Sequence, residues 1–195
     1  SLDIDPVNGF SPIIAVSGTP FVLIVPPRIA ARTAQELIAY ARANPGKINF
    51  VNQNAAANVT GVMFENLTKQ KVQFIPYRGA GPAMTDLVSG TVDLLVVQGA
   101  VALPQIRAGK IKALANLSPT RSASMPDIPT ADETGVPGLY MSGWFGFFAP
   151  KGTPKDVIAK LNAATVEALA DPAIQKRFTE LGLDVAPRDQ QTPEG

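Results

Sequence analysis

The sequence predicts an α/β fold built on a parallel-rich sheet, and three observations carry that prediction. Short apolar runs beginning near residues 48, 72, 92 and 111 read as strands, and segments with apolar residues at helical spacing separate them. Strands that alternate with helices in this way pair in parallel, with the helices covering the sheet. The 18 prolines and 16 glycines are spread along the chain, so they punctuate many short elements and form no linker.

Taken in order, residues 3–9 read as loop, and Pro12 to Val16 and Phe21 to Val25 as two strands broken by Ser17-Gly18-Thr19-Pro20. Thr33 with Glu36 three residues on makes a capping box, opening a helix whose inner stripe is Leu37, Ile38 and Ala41. It stops before Pro45-Gly46, and Ile48 to Val51 is the next strand. The small, amide-rich run Asn52 to Asn58 then leads into a helix carrying Val59, Val62, Met63, Phe64 and Leu67, with Asn54 or Asn58 as its cap.

The stretch Val72 to Leu95 is the most informative. An apolar run stops at Pro76, the turn Arg78-Gly79-Ala80-Gly81 follows, and Pro82 suits the first position of a short helix with Met84, Leu87 and Val88 inside. Gly90 suits a left-handed stop before a strand from Val92 to Val97. The turn sets the N–H groups of a helix start, with glycines allowing close approach, beside the basic Arg78. It reads either as an ordinary structural turn or as a seat for an anion.

Beyond Gln98-Gly99 the spacing predicts a helix from Val101 to Ala108, a stop at Gly109 and a strand from Ile111 to Ala115. Ser118 to Gly138 is a proline-rich surface excursion with one helical turn at Ala131 to Thr134. Tyr140 to Ala149 concentrates Trp144, Phe145, Phe147 and Phe148, and reads as a buried strand or a crossing between domains in preference to an exposed aromatic platform. Pro154 begins a helix with Val157, Ile158, Leu161, Val166 and Leu169, and Asp171-Pro172 opens another that ends at Gly182.

Composition removes whole function classes. No cysteine and no histidine occur in the 195 residues, which excludes Ser-His-Asp and Cys-His catalysis and any imidazole or thiolate zinc site; no cofactor is expected. Lys+Arg of 17 against Asp+Glu of 16 leaves a net charge of +1, which argues against a nucleic-acid surface. No uninterrupted apolar stretch is long enough to span a membrane.

Ligands of open α/β sheets gather at the carboxyl ends of the strands. Three such ends carry small or amide-bearing loops: Asn52, Gln53, Asn54, Ala55 and Asn58; Tyr77, Arg78, Gly79 and Ala80; and Gln98 with Gly99. Asp93 completes the candidate set. Amides, backbone N–H groups and one arginine hold a ligand well and catalyse poorly, so the pattern favours binding over chemistry.

A set of short motifs recurs here in a familiar order: Asp5-Pro6-Val7, Pro45-Gly46-Lys47, Ile75-Pro76-Tyr77-Arg78-Gly79, Gly90-Thr91-Val92-Asp93, Ala102-Leu103-Pro104, Ala108-Gly109-Lys110, Met125-Pro126-Asp127-Ile128-Pro129-Thr130, Trp144-Phe145-Gly146, Ala149-Pro150 and Gly152-Thr153-Pro154. In these the chain resembles the tripartite tricarboxylate transporter substrate-binding receptors, the Bug family of periplasmic solute-binding proteins, over essentially its whole length. The resemblance implies a type II periplasmic-binding-protein fold that closes on a small carboxylate and delivers it to membrane permease subunits. It implies residues 21–145 as a complete ligand-binding domain, with 1–20 and 146–195 as remnants of a first domain. A family receptor begins earlier and ends with a further helix, so the helix from Pro154 to Leu169 is expected to expose an apolar face, with self-association through these remnants as one outcome.

Two departures bear on the ligand. The family's glycine-serine loop and its histidine are replaced by Asn52-Gln53-Asn54-Ala55-Ala56-Ala57, with Asn58 near the histidine position. Val97 and Gln98 stand where the family often has an aspartate, which favours a plain carboxylate over an amino acid. Two other readings stand beside the receptor: the effector-sensing domain of a transcription regulator, for which no basic helix-turn-helix is present, and an enzyme using Asp93 as a base near Arg78.

Overall fold

The computed structural model describes residues 5 and 8–194; Pro6 and Val7 of the first motif, and the opening of the loop expected at 3–9, lie outside the described residues. The chain divides into two compact units, one of Pro20–Ser142 and one of the residues up to Thr19 together with those from Gly143 onward.

The larger unit is a three-layer α/β/α arrangement. Its elements are the second half of β1 (Phe10–Val25), α1 (Ala34–Ala43), β2 (Asn49–Asn52), α2 (Ala55–Thr68), β3 (Gln73–Pro76), α3 (Ala80–Ser89), β4 (Leu95–Gln98), α4 (Gly99–Arg107) and β5 (Lys112–Asn116). β2 pairs in parallel with β3, and a parallel bridge from Phe50 to Leu94 joins β2 to the start of β4. β1 runs antiparallel to both β4 and β5. The four helix-linked strands therefore share one direction, as the alternation predicts. β1 is inserted against them between β4 and β5, which no local pattern announces.

The apolar runs follow from burial on both sheet faces. On β1, Phe21, Leu23 and Val25 join the core under α1 and α2 with Phe50, Leu94 and Val96, while Val22 and Ile24 join Val51, Leu95 and Val97 under α3 and α4. Val22 to Val25 are fully buried, each contributing about 1.5–3 kcal/mol of transfer free energy.

Local signals set most element ends. Thr33 Oγ1 accepts from Glu36 N at 3.1 Å, and the Glu36 carboxylate reaches back to Arg32 N at 2.6 Å, so the capping box forms with its return bond one residue early. Asn54, not Asn58, caps α2, accepting from Ala57 N at 2.8 Å. Gly90 stops α3 at φ 82°. Three boundaries move. α3 starts at Ala80, which puts Pro82 at its third position, where an N–H is still not needed. α4 starts at Gly99 instead of Val101, and β4 is confined to Leu95–Gln98 because Val92 N is taken by Asp86 O and Asp93 and Leu94 first bond to β2.

The smaller unit holds the first half of β1, β6 (Ser142–Pro150, within this unit from Gly143), α5 (Lys155–Ala170), α6 (Pro172–Glu180), β7 (Asp184–Val185) and a 3-10 turn (Arg188–Gln190). Its core is small, consisting of Ile13, Ile14, Ala149 and Leu169. Leu169 is the one buried residue of α5, α6 buries none, and Val157 and Leu161 are exposed. Asn162 on α5 donates to Ile13 O at 2.9 Å and to Gln191 O at 3.0 Å, adding a polar tie where the apolar one is thin.

Two expectations are corrected. The break expected at Ser17-Gly18-Thr19-Pro20 is continuous strand, because Ser17 and Gly18 pair with β7 and Phe21 N finds Met141 O at 3.1 Å. Tertiary partners override the breaker residues there. The aromatic run does form a strand, and one that passes from the larger unit at Ser142 into the smaller from Gly143, as the crossing alternative has it; the buried alternative fails, since Trp144 is 64% accessible, Phe145 48%, Phe147 54% and Phe148 49%.

Candidate functional site

Because β2, β3 and β4 share one direction, their carboxyl ends lie along one edge of the larger unit's sheet, and a helix starts at each. Asn54 caps α2, Gly79 precedes α3 and Gln98 precedes α4; neither α3 nor α4 has a side-chain cap. Uncapped helix starts present unsatisfied N–H groups and partial positive charge. The structure thus brings Asn52, Gln53, Asn54, Tyr77, Arg78, Gly79, Ala80, Gln98 and Gly99 to one end of the sheet, with Ala55 and Asn58 exposed in the first turn of α2.

Each loop is braced. Tyr77 N donates to Asn52 O at 3.0 Å, tying the first two loops together. The Tyr77 hydroxyl donates to Asp86 Oδ2 at 2.6 Å, which clamps the β3 end onto α3. That bond, with burial and the Asp86 charge behind it, pushes the phenol up to about 12. Gly79 adopts φ 120° and ψ 174°, a conformation side chains resist, and this aims the chain into α3. Arg78 is exposed and forms no ion pair with a described residue. Gln53 Nε2 donates to Val96 O at 2.8 Å, which fixes its amide orientation, since the reverse would face oxygen with oxygen; its Oε1 is buried without a partner.

Asp93 does not belong to this end. It precedes β4, at the opposite edge of the sheet, where its carboxylate accepts from Arg28 Nη2 at 2.6 Å and from Asn49 N at 2.8 Å. Arg28 Nε also donates to Gly90 O at 2.9 Å. Asp93 is therefore a structural anchor joining four elements, at the sheet edge away from Arg78. The sequence gives no sign of Arg28 as its partner, 65 residues away.

Two residues were not anticipated. Asn116 ends β5, the fourth parallel strand, and is fully buried with Oδ1 unpartnered. Met125, from the proline-rich excursion, lies against the α4 start so closely that a Cβ on Gly99 would stand 2.3 Å from its Cε. The strand-end rule applied to a fourth strand finds Asn116; nothing local finds Met125. A groove of 440 Å³ also leaves the site between α3 and α4, from Ala80 and Gly81 past Met84 to Gln105 and Lys110. Among the described residues no group of acidic, histidine or cysteine side chains could hold a metal ion, and no helix is long and apolar enough to cross a membrane.

The family model described as "Tripartite tricarboxylate transporter family receptor" matches residues 1–194. Protein BugT of Bordetella pertussis is 35% identical over 173 residues, covering 88% of this chain and 53% of its own length. Among solved structures, the chain is similar to Rpa4515 of R. palustris with adipate (26% identity, TM-score 0.88, 100% of this chain and 64% of that one). It is also similar to MatC of Rhodopseudomonas palustris with bound malate (32% identity, TM-score 0.79, 95% and 64%). The chain spans about half the length of the curated relatives it matches.

Proposed function

The chain belongs to the tripartite tricarboxylate transporter receptor family, and from that membership we propose that it acts as a periplasmic receptor unit for a small organic acid, binding without turning it over. The carboxylate sits at the carboxyl ends of β2, β3 and β4, and the ligand passes to the membrane permease subunits of a tripartite tricarboxylate-type transporter. The observation that carries this reading is the convergence of three helix starts at one sheet edge, two of them without a side-chain cap. Such a place favours an anion before any side chain is considered.

The side chains refine the ligand. Asn52, Gln53, Asn54, Asn58, Tyr77 and Gln98 supply neutral polar groups, Arg78 supplies a positive charge, and Asp93 is engaged elsewhere. An amino-acid ammonium thus meets no carboxylate among these candidates, so the proposed ligand is a plain mono- or dicarboxylate. Adipate and malate on two similar proteins support that class. The exposed apolar surface of the smaller unit supports a second element of the proposal, self-association through that unit.

Isothermal titration of the chain with a panel of mono- and dicarboxylates and the matching amino acids tests the ligand reading. The acids should bind at least about tenfold more tightly, a difference of about 1.4 kcal/mol. An amino acid that bound more tightly than every acid would overturn the choice of ligand class, and saturable binding unaffected by Arg78→Ala and Gly79→Ala would move the site elsewhere.

A further inference from the structure

Charge is divided unequally between the two units. Pro20–Ser142 holds 11 Lys and Arg against 7 Asp and Glu, and the rest of the chain holds 6 against 9. The larger unit therefore carries +4 in a chain whose net charge is only +1.

The fold gathers that surplus at one edge. Parallel strands send their amino ends to the edge opposite the proposed ligand site, and two residues before β2, β3, β4 and β5 stand Lys47, Lys71, Asp93 and Lys110. With β3 beside β2, β2 bridged to β4, and β1 between β4 and β5, these form a row about 19 Å long at about 4.8 Å per strand. Arg42 in the last turn of α1 and Lys69 at the end of α2 belong to the same edge. Its two acids are both engaged, Asp93 with Arg28 and Glu65 with Lys71 at 2.9 Å. The unit's other acids lie elsewhere: Asp127, Asp132 and Glu133 follow the carboxyl end of β5, Asp86 holds Tyr77, and Glu36 is in the first turn of α1. Arg42, Lys47, Lys69 and Lys110 are exposed and form no ion pair with a described residue. The pull of a helix dipole on a base ends with the last turn. It accounts for Arg42, but not for Lys47 and Lys110, which stand beyond the caps of α1 and α4.

The make-up of the edge selects its partner. Protein interfaces favour arginine and aromatic residues and disfavour lysine. Here the tips are Asn44 to Lys47, Lys69 to Lys71 and Ala108 to Lys110, without an aromatic residue among them. Lysine is a compact charge on a flexible stem, suited to a diffuse anionic plane more than to a shaped acidic pocket. We infer that the amino edge of this sheet docks on an anionic phospholipid surface through Arg42, Lys47, Lys69 and Lys110. The inference is independent of the ligand reading, because the proposed carboxylate site lies at the opposite edge. Each base near such a surface raises partitioning about fivefold, so four raise it by several hundredfold, a weak and reversible attachment.

Co-sedimentation of the whole chain with vesicles tests this. Vesicles of phosphatidylcholine with about 30% phosphatidylglycerol should retain it at low salt, and pure phosphatidylcholine should not. Raising the salt from about 50 mM to about 300 mM should release it. The double variant Lys47→Glu with Lys110→Glu should lower partitioning at least about twenty-fivefold. Lys160→Glu with Lys176→Glu, the same change in net charge on exposed residues of α5 and α6, should leave it nearly unchanged, with circular dichroism confirming both folds. In the unaltered chain, anionic vesicles should protect Lys47 and Lys110 from acetylation, read by mass spectrometry, and leave Lys160 reactive. Equal binding to both vesicle types, equal losses in the two double variants, or no protection of Lys47 and Lys110 would each overturn the inference. Binding to polyglutamate or duplex DNA with none to vesicles would also overturn it, and would give the edge to an acidic macromolecule. None of these results bears on carboxylate binding.

Discussion

Removing one side of the Arg28–Asp93 pair offers a test in which the two halves should behave differently. The Asp93 side chain is 7% accessible and the Arg28 side chain 46%. In Asp93→Asn the guanidinium returns to water and keeps its bond to Gly90 O, while the amide oxygen can still accept from one of its two former donors, Arg28 Nη2 or Asn49 N. The loss is one charge-assisted hydrogen bond, about 1.5–3 kcal/mol. In Arg28→Met the carboxylate stays buried with only Asn49 N for company. Breaking a buried pair from that side costs about 3–5 kcal/mol, and the half-exposed Arg28 site, which lets water reach the carboxylate, sets the expectation at about 3. The double variant should recover about 1–2 kcal/mol relative to the sum of the singles, because no unpaired charge remains. Urea unfolding of the four proteins, followed by circular dichroism at neutral pH, measures this cycle. Carboxylate affinity of the folded protein should be unchanged throughout, since the anchor lies at the opposite sheet edge from the proposed site. A coupling below about 0.5 kcal/mol, or Asp93→Asn costing more than Arg28→Met, would refute the assignment of Asp93 as a buried anchor held by Arg28.

Further predictions concern the β3–α3 loop. The Tyr77 phenol is raised to about 12 by its bond to Asp86, so its stabilising contribution is complete below the ordinary tyrosine value of about 10 and is lost as pH rises from there through about 12. The urea midpoint of the wild-type chain should therefore fall across that window more steeply than that of Tyr77→Phe; parallel curves would show that the hydroxyl does not hold Asp86 in solution. Gly79→Ala forces a side chain into φ 120° and should cost about 1–3 kcal/mol of stability by thermal unfolding. It should also weaken carboxylate binding through displacement of the α3 start, and full affinity in a folded variant would remove that loop from the site.

What could be read from the residues depended on whether the cause was local. The capping oxygen of Thr33, the cap at Asn54 and the left-handed stop at Gly90 act within a few residues of themselves, and so did the apolar spacing that marked α1, α2 and α3. The strand-end loops 52–54, 77–80 and 98–99 were legible for the same reason: strand, turn and helix follow one another along the chain, and parallel strands send their carboxyl ends to one edge. Family motifs then supplied an ordered match that no single motif could.

Tertiary structure decided everything that depended on a distant partner. Asp93 looked as available as Arg78 until Arg28 and the Asn49 amide claimed its oxygens. Ser17-Gly18-Thr19-Pro20 carries every local sign of a break, yet β7 and Met141 hold β1 continuous through it. The aromatic run of β6 reads in sequence as a buried strand or a crossing between domains; it crosses from one unit to the other, and whether its side chains are buried depends on what packs over them. The sequence by itself determined the α/β alternation, the helix ends, the family motifs and the loops at the carboxyl ends of the parallel strands, since those are consequences of short-range sterics, hydrogen bonding, periodicity and residue order. Only the folded chain determined which carboxylate is spent on stability, that β1 runs against its neighbours, and that four aromatic residues face solvent, because burial and pairing are properties of residues far apart in sequence and close in space.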